Sequence, residues 1–127
     1  MLKRFFLFGF VGIVGFLVDT GVLYLIKDLC GLYVARIFSF IAAVLTTWVL
    51  NRLITFKQDG SGLTKLNEFF AYFFLMLFGG VVNYLTFALL VANFDSVIRH
   101  PIVGVALGSI AGLMVNFLTA NNLFEKK

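Results

Sequence analysis

The chain has 127 residues, 61% of them hydrophobic and 13% charged, with a mean hydropathy of +1.04. That composition excludes a water-soluble domain, and four spans of about 20 residues each would use nearly every position, leaving no room for a separate soluble unit. The net charge of +4 does not indicate nucleic acid, because the basic residues stand at the ends of apolar runs rather than on one polar face.

Lys3 and Arg4 precede the first apolar run, residues 5–26. The run is too long for a signal peptide and no small-residue cleavage pattern follows it, so it is predicted to be a retained first span. Asp19 is the charge within it. A carboxylate near the centre of a bilayer costs roughly 2.5 to 3.5 kcal/mol, less toward an edge, so Asp19 needs a partner or water. Gly12, Gly15 and Asp19 follow at spacings of three and four, which puts the carboxylate on the narrow face that meets a neighbouring helix. Cys30 is the single cysteine and allows neither an intramolecular disulfide nor a thiolate pair for zinc.

The second run covers residues 37–56. With a tight hairpin turning near Cys30, Arg36 begins one to two turns outward of Asp19, a gap its side chain can reach to make a charge-assisted pair. A plain staple between the helices, or a hydroxyl bond from Thr20 or Thr47, would also satisfy Asp19. The run closes on Asn51, Arg52, Thr55 and Phe56, followed by Lys57. Arg52 there either binds a lipid phosphate bidentately or snorkels to headgroups as an anchor. The loop at 57–68, with Asp59, Gly60, Ser61 and Gly62 between Lys57 and Lys65, is a solvated connector or a docking segment for a partner.

The third run, 69–92, carries Asn83, and the fourth, 102–123, carries Asn116; amides inside a bundle need partners. Between them His100 has no second histidine or carboxylate cluster beside it, so no metal and no cofactor is expected. Pro101 suits a first helical turn. Seventeen phenylalanines read as apolar surface. Backbone groups in lipid must be bonded internally, so all four runs are predicted helices of one all-α membrane domain over residues 1–127.

Lys3, Arg4, Arg52, Lys57, Lys65, Lys126 and Lys127 fall on one side, against Lys27, Arg36 and Arg99 on the other, which places both termini in the cytoplasm. Tyr24 and Tyr33 fall near the outer interface and Tyr72 near the inner one. Ser39, Ala43, Thr47 and Asn51 reappear as Gly104, Gly108, Gly112 and Asn116, 65 positions on, while Gly15 and Asp19 match Gly79 and Asn83 at 64. The chain therefore reads as a duplicated two-span hairpin forming parallel repeats, although small residues every four positions also arise wherever membrane helices pack closely.

The stretch from Arg4 to Asp19 with Gly9 and Gly12, together with Asn51-Arg52 closing on Thr55-Phe56, resembles the GtrA-like family of small four-span bacterial membrane proteins over essentially the whole chain. Residues 115–118 running to Phe124 resemble the family's second copy of that helix end. Ile54 stands where the family often has an aromatic, and Asn121 and Asn122 replace basic residues expected near the end of the fourth span. The resemblance implies movement of a polyprenyl-phosphate-linked monosaccharide across the bacterial cytoplasmic (inner) membrane for surface polysaccharide glycosylation.

On that expectation Arg52, with Lys57, captures phosphate, Asn51, Asn83 and Asn116 bond sugar or phosphate, and Asp19 lines the route or couples it to protonation. The expected partners are the polyprenyl-phosphate sugar lipid, membrane lipids, a glycosyltransferase and further copies of the chain. No arrangement of nucleophile and base, and no paired carboxylates, point to an enzyme. Two rival readings remain: a proton-coupled exporter of the small multidrug resistance type using Asp19, and a scaffold for a cytoplasmic glycosyltransferase.

Overall fold

The computed structural model describes residues 1–57 and 60–125. Asp59, Lys126 and Lys127, and the side chain of Tyr33, lie outside the described residues. Within them the chain forms α1 (Leu2–Cys30), α2 (Leu32–Leu50) continuing into a π-helical turn (Asn51–Thr55), α3 (Lys65–Asn93), a short α4 (Asp95–Arg99) and α5 (Pro101–Glu125). Four stretches are long and apolar enough to cross a membrane: Leu2–Cys30, Val34–Thr55, Lys65–Asn93 and Ala106–Glu125. Large apolar side chains such as Phe6, Phe16, Phe74, Leu85 and Leu118 stand exposed on all of them, far more than a soluble monomer tolerates. This is a multi-pass membrane protein, solvated by lipid over most of its surface.

The helices run beyond the apolar stretches because their polar ends also stay helical. The first connection, expected over residues 27–36, is reduced to Gly31 alone, whose φ of +84° lets the chain reverse at once. Its N–H closes α1 by bonding Lys27 O at 3.0 Å. Thr64 caps α3, its hydroxyl oxygen accepting from the N–H of Asn67 at 3.3 Å. Pro101 opens α5, where its missing donor removes no intrahelical bond. The loop before it contains α4, which the sequence pattern did not suggest.

Packing is closest within two hairpins, α1 on α2 and α3 on α5. Small residues set both. A side-chain carbon at Gly15 would strike Thr47, one at Gly79 would strike Asn116, and one at Gly108 would lie 2.6 Å from the carbonyl oxygen of Asn83. The small-residue stripes are thus contact faces inside the chain, where close approach supplies dispersion that lipid cannot.

The hairpins meet through an aromatic cluster near the start of α1 and the end of α5. Phe8, Phe56, Tyr72, Phe117 and Phe124 are buried there, with the Phe56 and Phe124 rings stacked at 4.8 Å. These phenylalanines are core rather than lipid-facing surface. Arg4 ties the same end together, donating to Asn121 at 3.4 Å and Glu125 at 3.2 Å and lying over the Phe56 ring. The buried Asn121, which replaces an expected cation on α5, therefore receives one from α1.

Candidate functional site

At the end of α2 the helix widens by one residue. The N–H of Phe56 donates to Asn51 O, five residues back, at 2.8 Å. The extra residue in the turn places both Thr55 and Phe56 over Asn51, so two consecutive side chains are buried where an α-helix would turn one outward. Thr55 Oγ1 donates to Asn51 Oδ1 at 2.7 Å, Asn51 Nδ2 to the Tyr72 oxygen at 2.9 Å, and the Tyr72 hydroxyl to Thr47 Oγ1 at 3.0 Å. Each amide arm of Asn51 thus has a partner, and the chain of bonds joins α2 to α3. Tyr72 is wholly buried rather than interfacial, because its hydroxyl satisfies Asn51 and Thr47 inside the bundle.

Tyr72→Phe removes the shared hydroxyl and leaves Asn51 with an unmet buried donor; the solubilised protein is expected to lose about 1 to 3 kcal/mol in thermal unfolding.

One turn away Arg52 Nη1 donates to Glu68 Oε1 at 3.1 Å. Glu68 is 2% exposed and accepts from two further donors, Trp48 Nε1 at 2.9 Å and Ser61 Oγ at 2.5 Å. Arg52 keeps 32% of its side chain exposed and meets Glu68 through Nη1, which leaves donors of its fork available to a second acceptor. Lys57 stands exposed just beyond the π turn.

Above the aromatic cluster a cleft of about 490 Å³ opens between the hairpins. All four long helices line it, and most of its wall is apolar. Its polar lining comes from Asp19, Thr47, Asn51, Tyr72, Asn83, Ser109 and Asn116. Gly9, Gly12 and Gly80 also border it, and a side-chain carbon at any of them would meet nothing within 4 Å. Asn116 Oδ1 is buried against Gly79 without a hydrogen-bond partner among the described residues.

Asp19 stands eleven residues, about 16 Å, farther along α1 than Phe8, which closes the other end of the cleft. Arg36 Nη1 donates to Asp19 Oδ1 at 2.5 Å. The hydroxyl of Thr47 goes instead to Val44 O.

Four of the six residues singled out from sequence, Asp19, Asn51, Asn83 and Asn116, therefore share one cleft, with Asn51 bonded into its floor. Arg52 and Lys57 do not line it but stand at the adjoining helix end. Sequence reasoning missed Glu68, which it left in the connecting loop, and the role of Tyr72. The available signal was a lone carboxylate directly preceding an apolar span and one short loop away from Arg52.

Across residues 7–124 the chain matches the family model described as GtrA/DPMS, transmembrane domain. No curated protein matches the chain at a significant level.

Proposed function

Because the chain belongs to the GtrA/DPMS transmembrane-domain family, whose members serve membrane functions of polyprenyl-phosphate sugars, we propose that it carries a polyprenyl-phosphate-linked monosaccharide across the bacterial cytoplasmic membrane for surface polysaccharide glycosylation, without catalysing a reaction itself. The observation that carries this reading is the cleft. Its volume of about 490 Å³ lies within the range of small-molecule sites, roughly 300 to 1,000 Å³. Its amides, hydroxyls and one carboxylate offer a sugar the hydrogen bonds that hydrocarbon cannot, while the polyprenyl tail stays in lipid.

In this scheme both termini are cytoplasmic and a glycosyltransferase on that side supplies the charged lipid. Arg52 captures phosphate with its remaining donors, aided by Lys57, and Asn83 and Asn116 bond the sugar. Asp19 lines the route. Its occupation by Arg36 favours this over a proton-coupled cation exporter, which needs a carboxylate free to exchange protons. Two related hairpins are supported by the matching approaches of Gly15 to Thr47 and of Gly79 to Gly112, pairs offset by 64 and 65 positions. If copies of the chain associate, the glycines at 79, 104, 108 and 112 are not the interface, since α3 and α5 use them on each other.

Arg52→Ala is expected to cut transfer of lipid-linked sugar between leaflets of reconstituted vesicles by about ten- to a hundredfold, the effect of losing charge-assisted bonds to phosphate. Arg52→Lys should retain part of the rate. Arg52→Ala with Glu68→Gln, which leaves no charge unpaired and keeps an acceptor for Trp48, should insert normally yet stay inactive. Normal transfer by either alanine variant removes Arg52 from the mechanism.

A further inference from the structure

A second arginine–carboxylate pair reaches the cleft at the end away from Arg52, through its lining residue Asp19. Arg36 leaves 57% of its side chain exposed and touches Asp19, 17% exposed, through Nη1 alone. Asp19 belongs to the cleft wall, and Arg36 precedes Arg52 by sixteen residues on one continuous helix, about 24 Å apart along its axis. Beyond each end of the cleft thus stands a guanidinium bonded to one carboxylate oxygen, Arg36 reaching the lining residue Asp19 and Arg52 standing at the adjoining helix end, with no other side-chain bond from either among the described residues. A planar fork in that condition suits a phosphate, which accepts two parallel N–H bonds and competes with a singly bonded carboxylate for them.

We propose that Arg36 is a second phosphate-binding station, placed at the end of the cleft away from the termini, and that Asp19 is the counter-ion which a lipid phosphate displaces on arrival and which expels it on release. This rests on the carrier reading above. It gives the far leaflet a docking point of its own and assigns Arg36 a contact with substrate. Asp19 is then a competitor for the arginine and touches the sugar secondarily. The ligand is the phosphate ester of a polyprenyl lipid, a chemistry that an ordinary anionic phospholipid shares and against which it must be tested.

The test uses the full chain in nanodiscs of zwitterionic phospholipid, with binding of a polyprenyl phosphate followed by native mass spectrometry and titration. In Arg52→Ala protein, where the first station is disabled, residual binding should persist, and adding Arg36→Ala should weaken it about tenfold. Arg36→Lys should restore part of it.

Asp19→Asn should shift affinity the other way, tightening binding about tenfold because the competing charge is gone. A merely structural staple between α1 and α2 predicts the opposite: Asp19→Asn would leave binding unchanged or weaker in step with a lowered melting temperature. That result, or residual binding indifferent to Arg36→Ala, overturns the proposal.

Excess phosphatidylglycerol identifies the source. Failure to displace the polyprenyl phosphate supports a dedicated station, whereas displacement at equal concentration overturns it in favour of a general headgroup contact. A wild-type protein that binds in this Arg36-dependent way but moves no sugar between leaflets would refute the carrier function and leave the station standing.

Discussion

Replacing Glu68 by leucine will destabilise the solubilised protein by about 3 kcal/mol, the lower end of what removal of one partner from a buried ion pair costs. The lower end applies because Arg52 is partly exposed and can turn toward water or headgroups, whereas Glu68 is not. The loss is not confined to the ion pair, since Trp48 Nε1 and the Ser61 hydroxyl both give their hydrogen bonds to Glu68. Two donors are therefore orphaned together, and the loop carrying Ser61 loses its tie to α3.

Glu68→Gln keeps an acceptor for Trp48 and removes only the charge, so its cost should be clearly smaller. Trp48 is the chain's single tryptophan, which makes its emission a direct reporter of this site. The leucine variant should shift that emission before the global unfolding transition. Equal melting temperatures for wild type and the leucine variant would show that the pair contributes no net stability.

The parts of this fold that follow from the solvent were legible in the sequence. Hydrocarbon demands about 20 apolar residues per span and internal bonding of every backbone group, so four helices could be placed before any contact was known. The Asp19–Arg36 pair was legible as one option: a tight hairpin near Cys30 leaves Arg36 one to two turns outward of Asp19, within reach of its side chain, while a hydroxyl bond from Thr20 or Thr47 stood open beside it.

What could not be read depends on how one hairpin meets the other. Tyr72 looks like an interfacial anchor until the π turn at Asn51 brings an amide against its hydroxyl, and the widening of that turn has no signature in a single sequence. Glu68 was hidden by its position, because a carboxylate at the end of a loop is ordinarily solvated. Here Ser61, in the connection between α2 and α3, donates its hydroxyl to it. Asn83 and Asn116 were recognised as amides in need of partners. That they face one shared space follows only from packing α3 against α5 through glycine.

Gly79→Ala should be a damaging single-methyl addition, because its carbon would come closer to a neighbour than at any other glycine of the bundle among the described residues. The new carbon would occupy the space now filled by the Asn116 side chain, so either the amide must swing away or α3 and α5 must separate. Overpacking of this kind costs about 1 to 3 kcal/mol. Asn116 Oδ1 has no hydrogen bond to lose among the described residues, so the strain is steric and is relieved by shortening the asparagine. The double variant Gly79→Ala/Asn116→Ala should accordingly recover most of the stability, giving a coupling energy of about 1 kcal/mol or more in a double-mutant cycle.

Gly9→Ala and Gly80→Ala provide the contrast. Both positions border the cleft, but an added carbon there meets nothing within 4 Å. In a helix, alanine in place of glycine is favoured by roughly 0.5 to 1 kcal/mol, so these variants should melt at or above the wild-type temperature. The same pair should narrow the cleft and slow transfer of lipid-linked sugar, whereas Asn116→Ala alone should slow it without added bulk. Stability and transport would then separate at residues that share one wall, which is the behaviour expected if the open glycines hold space for a passing headgroup and the closed ones hold helices together. Unaltered transport in Gly9→Ala/Gly80→Ala protein would mean that the cleft is a packing gap and not a route.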